Sequence, residues 1–160
     1  MNRVFALVCA LLLSACASQV PLPAQLPHIK FPQQLHVQRE QAGQHLDWQL
    51  EIQKERHGVL CSLMDSAGNT LSRQELHEDT WKADDQSQDP EARELFAAVL
   101  FALTPEKDVR FNYPGAVLRP HGRSLDERWS VDYASEGFFR ITLEDGLRYI
   151  VSPVRGKANQ

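Results

Sequence analysis

The stretch LDWQLEIQ, residues 46–53, alternates without a fault between apolar and polar side chains. Leu46, Trp48, Leu50 and Ile52 fall on one face, and Asp47, Gln49, Glu51 and Gln53 on the other. Successive side chains of a strand point to opposite sides, so the pattern predicts a strand with one face packed and one face wet. Strands of that kind belong to antiparallel sheets, because parallel sheets are covered on both faces. The same period returns along the chain. It appears at Val59, Cys61 and Leu63, from Leu71 to Leu76, near Trp81, and at Val109, Phe111 and Tyr113. It recurs at Trp129, Val131 and Tyr133, at Phe139, Ile141 and Leu143, and at Leu147, Tyr149 and Val151. A first strand, at the sheet edge, is expected around Leu35 and Val37. Leu60 and Met64 make both faces of the Val59 strand apolar, which predicts cover on two sides. DSAGNT (65–70), Pro114-Gly115 and Asp145-Gly146 are turn sequences. The count is about nine strands.

One segment breaks the period. Asp89 suits a helix N-cap, Pro90 the first helical position, and Glu91 and Glu94 the positive end of the helix dipole. Ala92, Leu95, Phe96, Val99, Leu100 and Leu103 then recur at helical spacing. From Leu95 to Leu103 no residue is polar, so the helix is apolar nearly all round until Thr104-Pro105 stops it. Its length, roughly 21 Å, is too short to cross a bilayer. A chain of 160 residues suits one domain. Mainly antiparallel β with one central helix gives an α+β class. A curved sheet of this size fills its concave side only if it closes or is plugged, and small barrels commonly keep a ligand cavity there.

The N-terminus follows another logic. Arg3 precedes the uncharged run VFALVCALLL, and Leu13, Ser14, Ala15 and Cys16 follow in order. This resembles the lipobox of bacterial lipoproteins, which implies a signal peptide over 1–15, cleavage before Cys16 and acylation of its thiol. An ordinary signal peptide ending in A-x-A is the alternative. Ala17 rather than aspartate follows the cysteine, which by the same resemblance implies the outer membrane, periplasmic face. With Cys9 removed and Cys16 acylated, Cys61 stands alone and is expected as an inert core thiol. Residues 16–34 are rich in proline and predict a semi-rigid spacer, 35–152 the domain and 153–160 a tail.

Residues that could do chemistry are sparse. The six histidines form no HExxH or other close ligand pair, so no metal site is expected. There is no G-x-S-x-G elbow, no phosphate-cradling glycine run and no local nucleophile signature at Cys61. Arg119, His121 and Arg123 read as a solvated loop. A formal charge of −4 argues against a nucleic-acid partner. The expectation is a binding protein without cofactor, not an enzyme.

The order of these features resembles the LolA/LolB-like superfamily of periplasmic lipoprotein carriers and receptors. The similarity rests on LDWQLEIQ, VLCSLMDSAGNTLSRQEL, DPEARELFAAVLFAL, VRFNYPG and the closing RITLEDGLRYIVS. Within that superfamily it is most similar to lipoproteins encoded beside aryl polyene biosynthesis genes, whose apolar helix resembles LFAAVLFALTP. The resemblance implies an incomplete antiparallel β-barrel around an apolar cavity, with the helix as lid or plug. It also implies an outer-membrane-anchored protein that binds or transfers a lipid, acyl or lipidated molecule, in contact with a lipoprotein carrier or envelope biosynthesis proteins. Trp48, Leu50, Ile52, Leu63, Phe96, Leu100, Val131, Tyr133, Phe139 and Ile141 are the expected cavity lining. The other reading is a non-catalytic scaffold lipoprotein with a filled core that tethers envelope partners. The DSAGNT turn lacks the exposed apolar tip that LolB inserts into membranes.

Overall fold

Residues 35–37 and 48–50 begin the fold. In the computed structural model, which describes residues 19–84 and 86–154, β1 (Gln33–Gln41) pairs antiparallel with β2 (Gln44–Lys54), Leu35 opposite Leu50 and Val37 opposite Trp48. The two-residue link, Ala42-Gly43, has φ of 49° and 76°, and two positive φ values mark the turn whose twist matches that of the flanking strands. β3 (Gly58–Asp65), β4 (Thr70–His77) and β5 (Thr80–Ala83) continue the meander. After two helices come β6 (Ala116–Arg119), β7 (Gly122–Leu125), β8 (Trp129–Ser135), β9 (Phe138–Leu143) and β10 (Arg148–Pro153), again each beside the next.

The ten strands form one antiparallel sheet in the order β5-β4-β3-β2-β1-β10-β9-β8-β7-β6. β5 and β6 are its free edges, so the sheet is an open, barrel-like structure and not a closed barrel. β1 was expected at an edge. It lies instead in the middle, with Val37 opposite Trp48 on one side and Val151 on the other. That position follows from its alternation, since Leu35 and Val37 both carry buried side chains that a central strand can cover from each side. Leu46, in phase with the packed face of β2, is nevertheless 49% exposed, because it sits beside the β1–β2 turn, past the end of the core. Leu60 and Met64 are only half-buried, so β3 is covered on one face and not two.

α1 (Pro90–Leu103) forms where the caps predict it. The Asp89 carboxylate accepts from the Glu91 N–H at 2.9 Å, satisfying one of the free N-terminal donors. At the other end the Thr104 backbone N–H and hydroxyl both donate to the Leu100 carbonyl. Every residue from Leu95 to Ala102 is buried. Full burial of one Leu or Phe contributes about 1.5–3 kcal/mol, so this helix stays in place through its apolar surface more than through its propensity.

The segment expected as a strand at Val109, Phe111 and Tyr113 is instead a second helix, α2 (Glu106–Asn112). Pro105 sets its first turn, Glu106 and Asp108 lie at the positive end and Arg110 in the last turn. Val109 and Tyr113, four apart, are buried together, while Phe111 is 61% exposed. A period of two and a period of 3.6 cannot be told apart over so few residues.

The expected solvated loop at Arg119, His121 and Arg123 shrinks to the exposed two-residue turn Pro120-His121; Arg119 and Arg123 lie on the two strands that it joins, Arg119 opposite Gly122, and Arg123 is buried. A Cβ at Gly122 would sit 2.5 Å from the Val131 carbonyl, so only glycine fits that close approach. The ten strands therefore exceed the expected nine by this hairpin, net of the lost strand at 109–113.

The proline-rich N-terminal residues 19–32 lie against the domain. Val20, Leu22, Leu26, Ile29 and Phe31 pack on the core, and Pro23 and Pro27 are buried. Proline suits such a packed extended strap because it brings no N–H to satisfy. The Ala24 N–H donates to the Asn112 carbonyl at 3.1 Å, and the Gln25 N–H to the Asn112 side chain at 2.9 Å.

Candidate functional site

α1 is the element that both wings of the sheet reach, and its few polar atoms show how. From the centre of the sheet, Arg39 on β1 forks onto the Glu91 carboxylate through its Nε and Nη2 nitrogens, and the Tyr149 hydroxyl of β10 donates to the same group at 3.2 Å. From the far wing, Arg128 donates to both oxygens of Glu94 at 2.7 and 2.6 Å, and the Trp129 indole N–H adds a third bond at 2.6 Å. These bidentate bonds raise the pKa of both guanidiniums, holding them protonated.

The near wing grips the helix start through Gln74 on β4. Its buried amide donates to the Asp89 carbonyl and the Ser72 hydroxyl, both at 3.0 Å, and accepts from Arg93 at 2.8 Å. At the helix C-terminus the Arg123 guanidinium, 7% exposed, donates to the carbonyls of Phe101 at 3.0 Å and Thr104 at 2.6 Å. It lies over the rings of Phe101 and Tyr133, and the Tyr133 hydroxyl donates to Ala102 O at 2.7 Å. Burial pushes the Tyr133 hydroxyl up to about 12.

All ten expected lining residues meet in this one core. Leu50, Ile52, Leu63, Phe96, Leu100, Val131, Phe139 and Ile141 are buried, and Trp48 and Tyr133 pack against them part-exposed. Phe96 and Leu100 come from α1 itself, and the rest face it from the sheet. Cys61 is fully buried, and desolvation raises its pKa well above the usual thiol range, so it is an inert core thiol. Cys16 and the preceding Leu13, Ser14 and Ala15 lie outside the described residues.

Open clefts flank the N-terminal half of α1. One, of about 730 Å³, lies between Pro90, Glu91 and Glu94 and the β9–β10 turn, with Leu143 and Leu147 as its apolar wall. The other, of about 530 Å³, lies between α1 and β5, where Val20 and Leu22 of the strap face Thr80 and Trp81. A third, of about 360 Å³, is lined by Tyr133, Phe138, Phe139 and Ile150 at the far end of β8–β10. Among the described residues no cluster of three or more metal-ligating side chains occurs, and no helix is long and apolar enough to cross a membrane.

Sequence reading missed the polar residues that hold α1. Arg39 was legible in principle, as it continues the inward phase of Leu35 and Val37. Arg123 and Arg128 were not, because their partners are carbonyls and a carboxylate 19–34 residues away.

The class so defined is an open ten-stranded antiparallel sheet packed on one buried apolar helix, with clefts at the helix start. The chain belongs to the DUF3261 family, proteins of unknown function, whose profile matches residues 30–145, from just before β1 to the β9–β10 turn. No curated protein and no solved structure matches it.

Proposed function

We propose that the protein is a non-catalytic envelope lipoprotein, anchored through acylated Cys16 to the periplasmic face of the outer membrane. Its concave interior takes up the apolar part of a lipid, acyl or lipidated molecule, with α1 as the plug. The observation that carries this reading is the unbroken apolar surface of α1 from Leu95 to Leu103 inside a sheet whose edges do not pair. An acyl chain entering beside it exchanges one apolar contact for another, at little net cost per Å². The helix is fastened at its ends, by Glu91, Glu94 and Arg123, and not along its length. The resemblance to lipoproteins of aryl polyene clusters favours a polyene-acyl ligand in envelope lipid export, handed on from a lipoprotein carrier or an envelope biosynthesis protein.

A filled-core scaffold that tethers envelope partners is the second reading, favoured by the close packing of the expected lining residues on α1. One experiment separates them. The domain is purified, extracted with organic solvent, and the extract examined by mass spectrometry; binding of a fluorescent fatty acid is measured alongside. Recovery of an amphiphile, or saturable binding that the unlabelled fatty acid displaces, supports the carrier reading. An empty extract together with no probe binding leaves the scaffold.

A further inference from the structure

The strap changes how far the domain stands from its membrane. As a free polyproline-like spacer, residues 16–34 would reach about 60 Å, at about 3.1 Å per residue. In the structure the strap is docked from its first described residue. The Gln19 carbonyl accepts from Arg128 at 3.3 Å, and Val20 and Leu22 already pack on the core. Only Ala17 and Ser18 separate Gln19 from Cys16. That length of chain spans at most ~10 Å.

We infer that the domain lies directly on the lipid surface, with the seam between β5 and the β7–β8 turn facing the bilayer. The inference rests on Cys16 being the acylated residue. The docked strap leaves the chain at this seam, so the anchor and the 530 Å³ cleft over the N-terminal half of α1 share one face of the molecule. The charges lining the cleft are balanced: Arg93 and Arg128 against Asp79 and Glu94, with Arg128 bonded to Glu94 and Arg93 to Gln74. Trp81, in the cleft wall, has a buried indole N–H without a partner among the described residues. Its ring is half-buried in that wall, and a tryptophan ring is at home at a membrane interface. Seated this way, the cleft opens onto the leaflet, and an amphiphile passes between the two without crossing bulk water.

The test places a nitroxide on the acylated, full-length protein in vesicles of phosphatidylethanolamine and phosphatidylglycerol. Thr80→Cys labels the seam and Gln49→Cys the convex face of β2; the buried Cys61 thiol does not compete. A water-soluble nickel relaxant is expected to reach the Thr80 label several-fold less than the Gln49 label. Inserting about ten Gly/Ser residues before Gln19, a flexible span of roughly 17 Å, should bring the two to equal access while the protein still floats with the vesicles. Equal access without the insertion, in acylated protein that floats, overturns the orientation. Shielding that persists after the insertion overturns the short tether as its cause. The mass of the N-terminal peptide is read separately: an unmodified Cys16 defeats the anchor reading itself, and the orientation with it.

Discussion

Arg123 is the one charged side chain buried in the described core, and no carboxylate pairs with it. It is stabilised by carbonyl oxygens at the negative end of α1 and by two aromatic faces. Replacing it with methionine keeps most of the aliphatic volume and removes the donor. Two buried carbonyls, of Phe101 and Thr104, then lose their partner. Phe101 O retains a long bond from the Thr104 N–H at 3.4 Å, so the Thr104 carbonyl bears most of the loss. An unsatisfied buried group costs about 1–3 kcal/mol. The lost cation–π contacts, at 5.2 and 5.8 Å, add about 1–2 kcal/mol. Against this, the desolvation cost of a buried guanidinium disappears, so the net for Arg123→Met is about 1–3 kcal/mol of lost stability. Arg123→Lys keeps the charge and one carbonyl bond but not the planar stack, and should lose about half as much. Urea unfolding followed by tryptophan fluorescence reads both. A midpoint for Arg123→Met that matches wild type within about 0.5 kcal/mol, at unchanged slope, refutes the assignment of Arg123 as the clamp on α1.

Other outcomes follow from the same geometry. Glu94→Ala strands the Trp129 indole N–H in the core and should cost about 2–3 kcal/mol, whereas Glu94→Gln keeps an acceptor and should cost about 1 kcal/mol in the same urea assay. Equal losses would mean that the Trp129 bond contributes nothing. Ala42, exposed at φ 49°, holds a left-handed conformation that disfavours alanine by about 1 kcal/mol, so Ala42→Asn should raise the urea midpoint; a lowered midpoint counts against the positive-φ turn. Burial raises the pKa of Tyr113, Tyr133 and Tyr149 above 10. Above that pH the unfolded chain releases protons that the folded one retains, so stability present at neutral pH falls as pH rises past about 10. Tyrosinate absorbance should therefore appear together with unfolding, and its appearance in still-folded protein would contradict the burial.

How much of this could be read from the sequence depended on length and on partner distance. LDWQLEIQ carries four full periods, and a strand with one wet face is the one structure that satisfies it. α1 was equally plain, since cap, proline, period and stop agree over fourteen residues. VRFNY was too short to choose between periods, and the structure used Val109 and Tyr113 but not Phe111. The β6–β7 hairpin hid behind Arg119-Pro120-His121-Gly122, which looks like solvent until the carbonyls of Phe101 and Thr104 are known to wait for Arg123. The docked strap was the least legible element, because Val20, Leu22, Leu26, Ile29 and Phe31 keep no period and their prolines match those of a free linker. Within the candidate site, the apolar residues were found by alternation, and the polar residues that fasten the helix were not.

The strand order has a kinetic consequence. The sheet is two five-strand meanders, β1–β5 and β6–β10, each stitched by turns between sequence neighbours. They meet only where β1 lies beside β10, a pairing such as Leu35 with Pro153 that closes a loop of roughly 120 residues, at an entropic cost of about 4 kcal/mol. Two local arrays and one distant stitch imply that each meander can form early and that joining them limits the rate. Val37→Ala and Val151→Ala, at the stitch, should then slow refolding, while Leu76→Ala in β4 should mainly speed unfolding. The opposite pattern would place the barrier inside a meander. The first and last strands of the domain, adjacent in space at the middle of the sheet, would be the last to find each other.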